Sequence, residues 1–289
     1  MKDSSNSKTN IRMVGKYYET GKWDDYWQTK ISCVEKGKIS VRGYPINEII
    51  ENLSFTEMTF LLIKGELPDE KQSAGLDLVL RSAVDQQFIS SAVPPARFTA
   101  SAVPESPIAA IASGILAFGS VTGSPQDCAQ MIYNACDLMK QEKISTEEAA
   151  KRIVSQYQNE RKRIPGLGHP IHKKEEPRVT SVKKTATELG LWNEKARLLE
   201  AIQNEFSLRH RSVPMNLAGA IACLLTELEF EPLEMGGLAV MSYFPALVAH
   251  IVEEIKEGVP LRIIPDALGA KYIGPEERHL PDKYLKNRK

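Results

Sequence analysis

Only one stretch of this chain alternates like a β-strand, and that leaves helices to build the rest. ISCVEKGKISVRGY, residues 31–44, reads as a short strand pair turning at Lys36-Gly37. From Pro45 onward the apolar periods are helical. Pro45 suits the first turn of a helix through Asn52, and Ser54 with Glu57 spells a capping box for a second helix that stops at Gly65. Further helices are predicted at about 70–87, 105–118, 125–141 and 146–162, the last opened by Ser145 with Glu148. After a loop over 161–178 come helices near 179–189, 193–208, 215–228 and 232–257, and Pro245 should kink the last by deleting an internal hydrogen bond. The expected fold class is all-α.

Composition narrows the partners. Lys and Arg number 37 against 37 Asp and Glu, so the net charge is zero and gives no global attraction to nucleic acid or to an anionic membrane. The N-terminal MKDSSNSKTN has no apolar core of a secretory signal, so a cytoplasmic location is expected. The longest apolar run, Ile108 to Val121, falls short of the roughly 20 residues a bilayer needs and reads as a buried helix. Cys33, Cys128, Cys136 and Cys223 show no ligand spacing, so reduced structural thiols and no metal site are expected. Residues 1–20 lack an apolar period and read as a mobile arm, followed by packing aromatics at Trp23, Tyr26 and Trp27.

The loop holds the chemistry. PGLGHPIHKKEEPR, residues 165–178, sets His169 and His172 among glycines, and Arg161, Lys162, Arg163, Lys173 and Lys174 make the region basic. An imidazole on a glycine-rich loop can approach a substrate and donate to a carbonyl, or it can simply be bonded to nearby backbone. Clustered cations beside exposed backbone N–H groups suit phosphates, although a charge run is more often a solvated face. Arg178 can grip a carboxylate or phosphate with two hydrogen bonds, or serve a surface ion pair.

Several stretches together resemble the citrate synthase superfamily, and within it the short citryl-CoA lyase branch. VRGYPINEIIENLSFTEMTFLLIKGELPDEKQ is similar to the family's opening signature, and SAVPESPIAAIASGILAFG to the helix before its first catalytic loop. PGLGHPIHKKEEPR resembles its GxGHxxxKxxDPR loop, MNLAGAIACLL its NVDGAxAxxL segment, and LVAHIVEE with YIGP its C-terminal end. The resemblance implies an all-α two-domain dimer with sites in the cleft between domains. It places a large domain over 1–124 and 233–289, and a small domain over 125–232. It also implies a coenzyme A thioester as substrate, with chemistry at the carbon next to the thioester carbonyl. On that pattern His169 is the catalytic histidine, and Gly166, Gly168, His172, Lys173 and Lys174 form the coenzyme A-binding loop. Gln86, Thr122, Arg178, Asn216 and Tyr243 fall at substrate-binding positions.

The departures are as informative. Thr122 stands where the family has its enol-stabilising histidine, and Ala218 stands where NVDGA supplies the catalytic aspartate. Gln86 replaces a substrate histidine, Tyr243 replaces a substrate arginine, and Ile264 precedes Pro265 where many synthases have arginine. Alanine takes no proton, so His169, with His172 as a lesser choice, is left as the expected proton acceptor of these loops. The expectation is a carbon–carbon lyase or acyltransferase acting on acyl-CoA and a second small molecule other than oxaloacetate or citrate. The alternative is a catalytically silent paralogue serving as a regulatory or structural subunit. A homodimer is expected in the first case, and pairing with an active paralogue in the second.

Overall fold

The computed structural model describes residues 13–24, 26–119, 124–210 and 212–285. The strand pair forms as predicted: β1 (Ser32–Glu35) and β2 (Lys38–Val41) run antiparallel in the register Ser32 opposite Val41. Gly37 carries the positive φ of +75° that the turn requires. A third short strand, β3 (Tyr44–Pro45), joins the far side of β2 and leads directly into α2 (Ile46–Asn52).

The helices follow their end signals. In α3 (Phe55–Lys64) the Ser54 hydroxyl accepts from Glu57 N–H at 3.2 Å, the Glu57 carboxylate accepts from Ser54 N–H at 2.8 Å, and Gly65 closes the helix at φ +89°. A second reciprocal box, Asp69 with Gln72, opens α4 (Glu70–Ser82), which stops five residues short of the predicted 87. The next helix, α5 (Val93–Ala102), is not in the sequence reading. Its Pro94-Pro95 pair looks like a break but sits in the first turn, where a missing N–H costs nothing. Then come α6 (Pro107–Ile115), α7 (Gln126–Glu142) and α8 (Thr146–Asn159). Only half of the expected box forms at α8: Ser145 caps Glu148 N–H at 3.3 Å, while the Glu148 carboxylate turns to Arg152. The chain continues with α9 (Pro177–Glu188), α10 (Glu194–Arg209), α11 (Leu217–Glu227) and α12 (Pro232–Glu257). Part of the expected mobile arm is a helix, α1 (Val14–Thr20), whose Tyr17 ring packs on Trp23 and Tyr26; residues 1–12 lie outside the described residues.

Two apolar cores share α12. The larger joins α3, α4 and α7 through α11 around Phe60, Leu76, Ile132, Leu199, Leu225 and Phe230, and it takes Met235 and Leu238 from the start of α12. The smaller packs α5 and α6 against the second half of α12, around Val93, Ala96, Ala110, Tyr243, Leu247 and Ile251. Small side chains bring these helices close: a Cβ on Gly114 would stand 2.8 Å from Leu247 Cδ2. By length and composition α12 could cross a membrane, but here it runs as the central core helix, with Pro245 in its interior. The junction between the cores, at Ser242 and Tyr243, faces the turn that follows α4. Ser242 Oγ accepts from Ala83 N–H at 3.2 Å, and Tyr243 Oη accepts from Gln86 N–H at 3.3 Å.

Candidate active site

The glycine-rich loop is tied to the start of α11 by backbone. Gly166 and Gly168 adopt φ of +83° and +88°, the left-handed region that side chains resist. Gly168 N–H donates to Pro214 O at 2.7 Å, Asn216 N–H donates to Gly166 O at 2.9 Å, and Leu167 bridges to Met215. Asn216 is spent twice: its carbonyl oxygen caps α11 by accepting from Gly219 N–H, and its amide nitrogen donates to Gly168 O, each at 3.0 Å. Gly166 and Gly219 are packed so closely that a Cβ on Gly219 would lie 2.5 Å from Gly166 O.

This frame fixes the chemistry of His169. Its Nδ1 accepts from Ile171 N–H at 3.2 Å and from His172 N–H at 3.0 Å, so that nitrogen carries no proton. In the neutral ring the proton is then on Nε2, which points at the Gln86 side-chain amide 2.9 Å away. The contact runs between Gln86 Nε2 and His169 Nε2, and because two N–H groups do not face each other, we assign the amide with its oxygen toward the ring. Partial burial, and then the His172 ring, Arg178 and Lys173, hold the His169 pKa below the ordinary imidazole value, against the pull of Glu176. His169 is therefore a neutral hydrogen-bond donor aimed into the site. The proton acceptor expected from sequence alone does not fit, because Nδ1 is occupied and Nε2 already bears hydrogen.

The opposite wall comes from the α4–α5 turn and α12. Asp85 Oδ1 accepts from Gln87 N–H at 3.1 Å, from Tyr243 OH at 3.3 Å and from His250 Nε2 at 3.1 Å. Burial opposes the Asp85 charge, but the Gln87 and His250 hydrogen bonds outweigh it and hold the carboxyl below its ordinary value. Phe118 packs edge-on against Tyr243 at 5.6 Å, so the ring is fixed from behind.

The structure thus brings His169, Gln86 and Tyr243 together, with Asn216, Gly166 and Gly168 forming the frame. The His172 ring lies tilted against that of His169, with ring centroids 4.6 Å apart. Lys173 folds back, its Nζ donating to His169 O at 3.0 Å and Pro170 O at 2.6 Å. Lys174 is not beside His169 but on a separate cavity of about 120 Å³ with Trp192, Gln203 and Met215. Arg178 pairs through Nε with the buried Glu176 at 2.9 Å, and this carboxylate also caps α9. Thr122 lies outside the described residues.

The family model of the citrate synthase C-terminal domain matches residues 25–139 and 76–264, which together span most of the chain. The chain belongs to the citrate synthase family. Within the family it is similar to the citryl-CoA lyase of Hydrogenobacter thermophilus, at 30% identity and a TM-score of 0.79, over 89% of this chain and 98% of that one. A more distant likeness, 19% identical with a TM-score of 0.74, is to ATP citrate lyase from Methanothrix soehngenii solved with citrate and coenzyme A. It covers 96% of this chain but 47% of that one, so the shared part is about half of the larger enzyme. Peroxisomal citrate synthase 1 of Arabidopsis thaliana is 41% identical over 54 residues, a stretch spanning 18% of this chain and 11% of that protein. The chain is of the citryl-CoA lyase-like branch.

Against the family pattern, the structure adds residues that the sequence reading did not single out. Asp85, His250 and Arg97 stand behind Gln86 and Tyr243 as one hydrogen-bonded row. Asp85 and His250 are 165 positions apart, and only the packing of α12 across the α4–α5 turn joins them. LVAHIVEE was recognisable as a family segment, but nothing in its spacing names Asp85 as the partner of its histidine.

Proposed function

We propose that this protein acts on a coenzyme A thioester, breaking or forming a carbon–carbon bond to a carbonyl compound other than oxaloacetate or citrate. The observation that carries this is the tautomer of His169. A neutral Nε2–H, held by two backbone donors on the far nitrogen, is oriented toward the position where a substrate oxygen would displace the Gln86 amide. A neutral imidazole donates to a carbonyl without first giving up a charge, and its lowered pKa keeps it neutral near pH 7. In the cleavage direction the bond between the hydroxyl-bearing carbon and the thioester α-carbon breaks. Its electron pair becomes the thioester enolate, which takes a proton from solvent at the α-carbon; the hydroxyl proton passes to solvent, and the new carbonyl oxygen is held by His169.

The glycines support the coenzyme A end. Gly166 and Gly168 give the loop its left-handed turns, while Lys173 and the other loop cations keep the region positive. We further infer a homodimer. The α5, α6 and α12 surfaces leave Phe98, Ile108, Leu116, Phe244 and Val252 exposed, and Leu261, Ile263, Ile264 and Ile273 of the C-terminal segment are exposed as well. Ala218 favours a second reading, a subunit that binds coenzyme A but does not turn over, since the family carboxylate is gone.

Calorimetric titration with coenzyme A and a series of acyl-CoAs, followed by mass-spectrometric detection of solvent deuterium entering the acyl group, tests both readings. Binding with exchange supports the enzyme. Binding without exchange supports the silent subunit, and no binding rejects both.

A further inference from the structure

His169 and Gln86 each arrive at their contact from a rigid base. On the loop side, Gly168 N–H is tied to Pro214 O and Asn216 N–H to Gly166 O, and His169 Nδ1 takes the N–H groups of Ile171 and His172. These bonds fix where Nε2 points. On the other side, the turn after α4 is tied to α12 and to itself. Ala83 N–H donates to Ser242 Oγ at 3.2 Å, Gln86 N–H to Tyr243 Oη at 3.3 Å, Gln87 N–H to Asp85 Oδ1 at 3.1 Å and Ser90 N–H to Gln87 O at 3.3 Å. Within it Gln87 is held at φ +53°, a left-handed conformation uncommon for a residue with a side chain.

What remains movable is the Gln86 side chain. It is half-buried, with its amide 2.9 Å from His169 Nε2 and 83 positions away in sequence. Rotation about its own torsions takes it off the ring without disturbing the turn, and such rotamers exchange far faster than loops or domains move. The bond it gives up is modest. In water the amide and the imidazole find other partners, so a neutral hydrogen bond of this type biases an equilibrium only about two- to tenfold. That is enough to keep the donor covered in the free protein and too little to exclude a ligand with further contacts.

We propose that Gln86 is an autoinhibitory cap on His169: its carboxamide oxygen fills the place of the substrate oxygen at Nε2–H, and a ligand reaches that donor only by turning the Gln86 side chain aside. That the capped donor is the one substrate uses rests on the function proposed above; the cap itself stands on the two anchored backbones. The ligands that compete with it are neutral carbonyl compounds, and primary carboxamides most directly, since they present the same oxygen acceptor. One hydrogen bond is exchanged for another. The affinity of any such ligand is therefore lowered by the fraction of time that Gln86 sits on the ring.

The exchange of the His169 Nε2–H hydrogen with water, measured by proton–nitrogen NMR on the full chain, reads the cap directly. Gln86→Ala should speed this exchange about two- to tenfold over the wild type. Acetamide, the fragment that this substitution removes, should slow it again in Gln86→Ala, and at concentrations about two- to tenfold lower than the wild type needs. Gln86→Leu fills the same place without an acceptor and should exchange like Gln86→Ala; it carries the test if thermal unfolding shows that Gln86→Ala does not fold. Equal exchange in the wild type and the folded variants, protection by leucine equal to that by glutamine, or acetamide acting alike on the wild type and Gln86→Ala would overturn the proposal. A parallel coenzyme A titration reads the functional assignment separately. No coenzyme A binding beside a protected Nε2–H rejects that assignment and leaves the cap, whereas coenzyme A binding beside an unprotected Nε2–H rejects the cap alone.

Discussion

His169 reaches Gln86 through Nε2 because its Nδ1 is already taken by the backbone N–H groups of Ile171 and His172. The loop, and not Gln86, therefore dictates the tautomer. Long-range proton–nitrogen NMR at pH 7.5 should show the Nε2–H form of His169 in the wild type and in Gln86→Leu alike. An Nδ1–H signal in either would contradict the geometry.

The same bonds make His169 acid-sensitive. Protonating Nδ1 breaks both backbone hydrogen bonds, and burial with nearby cations already lowers the folded-state pKa below the unfolded value near 6.5. In the window between the two values the unfolded chain binds more protons, so stability rises with pH there. The contribution of His169 is full above about pH 6.5 and is lost as pH falls through the folded pKa. Urea unfolding from pH 7.5 down to 5 should show a loss that His169→Gln removes in part; a pH dependence identical in the variant would rule this out.

The contact between Gly166 and Gly219 predicts a steep cost for one methyl group. Gly166→Ala strains a φ of +83° and drives Cβ to 2.5 Å from Cys128 Sγ, while Gly219→Ala meets Gly166 O at 2.5 Å. Left-handed strain costs about 1–3 kcal/mol and overpacking a similar amount, so Gly166→Ala should be the worse of the two, at about 2–5 kcal/mol. Denaturant midpoints at unchanged m-value measure both. Coenzyme A affinity should fall even in the fraction that remains folded, because the loop backbone moves.

Much of this fold was legible because its helices announce their ends. Ser54 with Glu57 and Gly65 bracket α3 as read, and Pro232 to Glu257 is the extent predicted for α12. What failed has a local cause: Pro94-Pro95 is a breaker in mid-helix and an initiator at the first turn, and sequence alone does not say which end is present. His169 was legible from its glycine-rich loop, and Gln86 and Tyr243 from the places where the family pattern lapses. The proton position on His169 was not, because it depends on where two backbone N–H groups of the same loop happen to point. The row from Asp85 through His250 and Arg97 to Glu254 depends on contacts across some 153–165 positions, for which helical periodicity carries no signal.

That row also predicts a stability effect. Glu254 is fully buried at its side chain and held between Arg97 and Arg262, whose opposing pull outweighs the burial that raises its pKa and keeps the carboxyl below its ordinary value. Arg97→Leu leaves this carboxylate with the one partner that is itself 34% exposed. Removing one side of a buried pair costs about 3–5 kcal/mol, and the lower end is expected because Arg262 stays. Double substitution with Glu254→Leu should recover part of the loss in denaturant unfolding, since it removes the uncompensated charge; additive losses would show that the pair does not act as one unit.

Ala218 and Tyr243 together predict how this site responds to being rebuilt toward citrate chemistry. The wild type is expected to show no citryl-CoA cleavage or citrate synthesis at rates of about 1–10³ per second, the ordinary range for enzymes, because general acid-base groups each contribute about 10²- to 10⁴-fold. Ala218 occupies the second residue of α11, where an aspartate is favoured by the helix N-terminus, so Ala218→Asp should fold. Combined with Thr122→His, it should gain solvent deuterium exchange into acetyl-CoA by more than the product of the single effects, as groups serving one transition state are not additive. Citrate turnover should not follow at that stage. Gln86 offers an amide and Tyr243 a phenol bonded to Asp85, so the carboxylates of oxaloacetate still lack cations. Adding Gln86→His and Tyr243→Arg should then bring citrate synthesis above background. Turnover in the double variant, before either cation is restored, would show that the acceptor corner holds carboxylates by some other means.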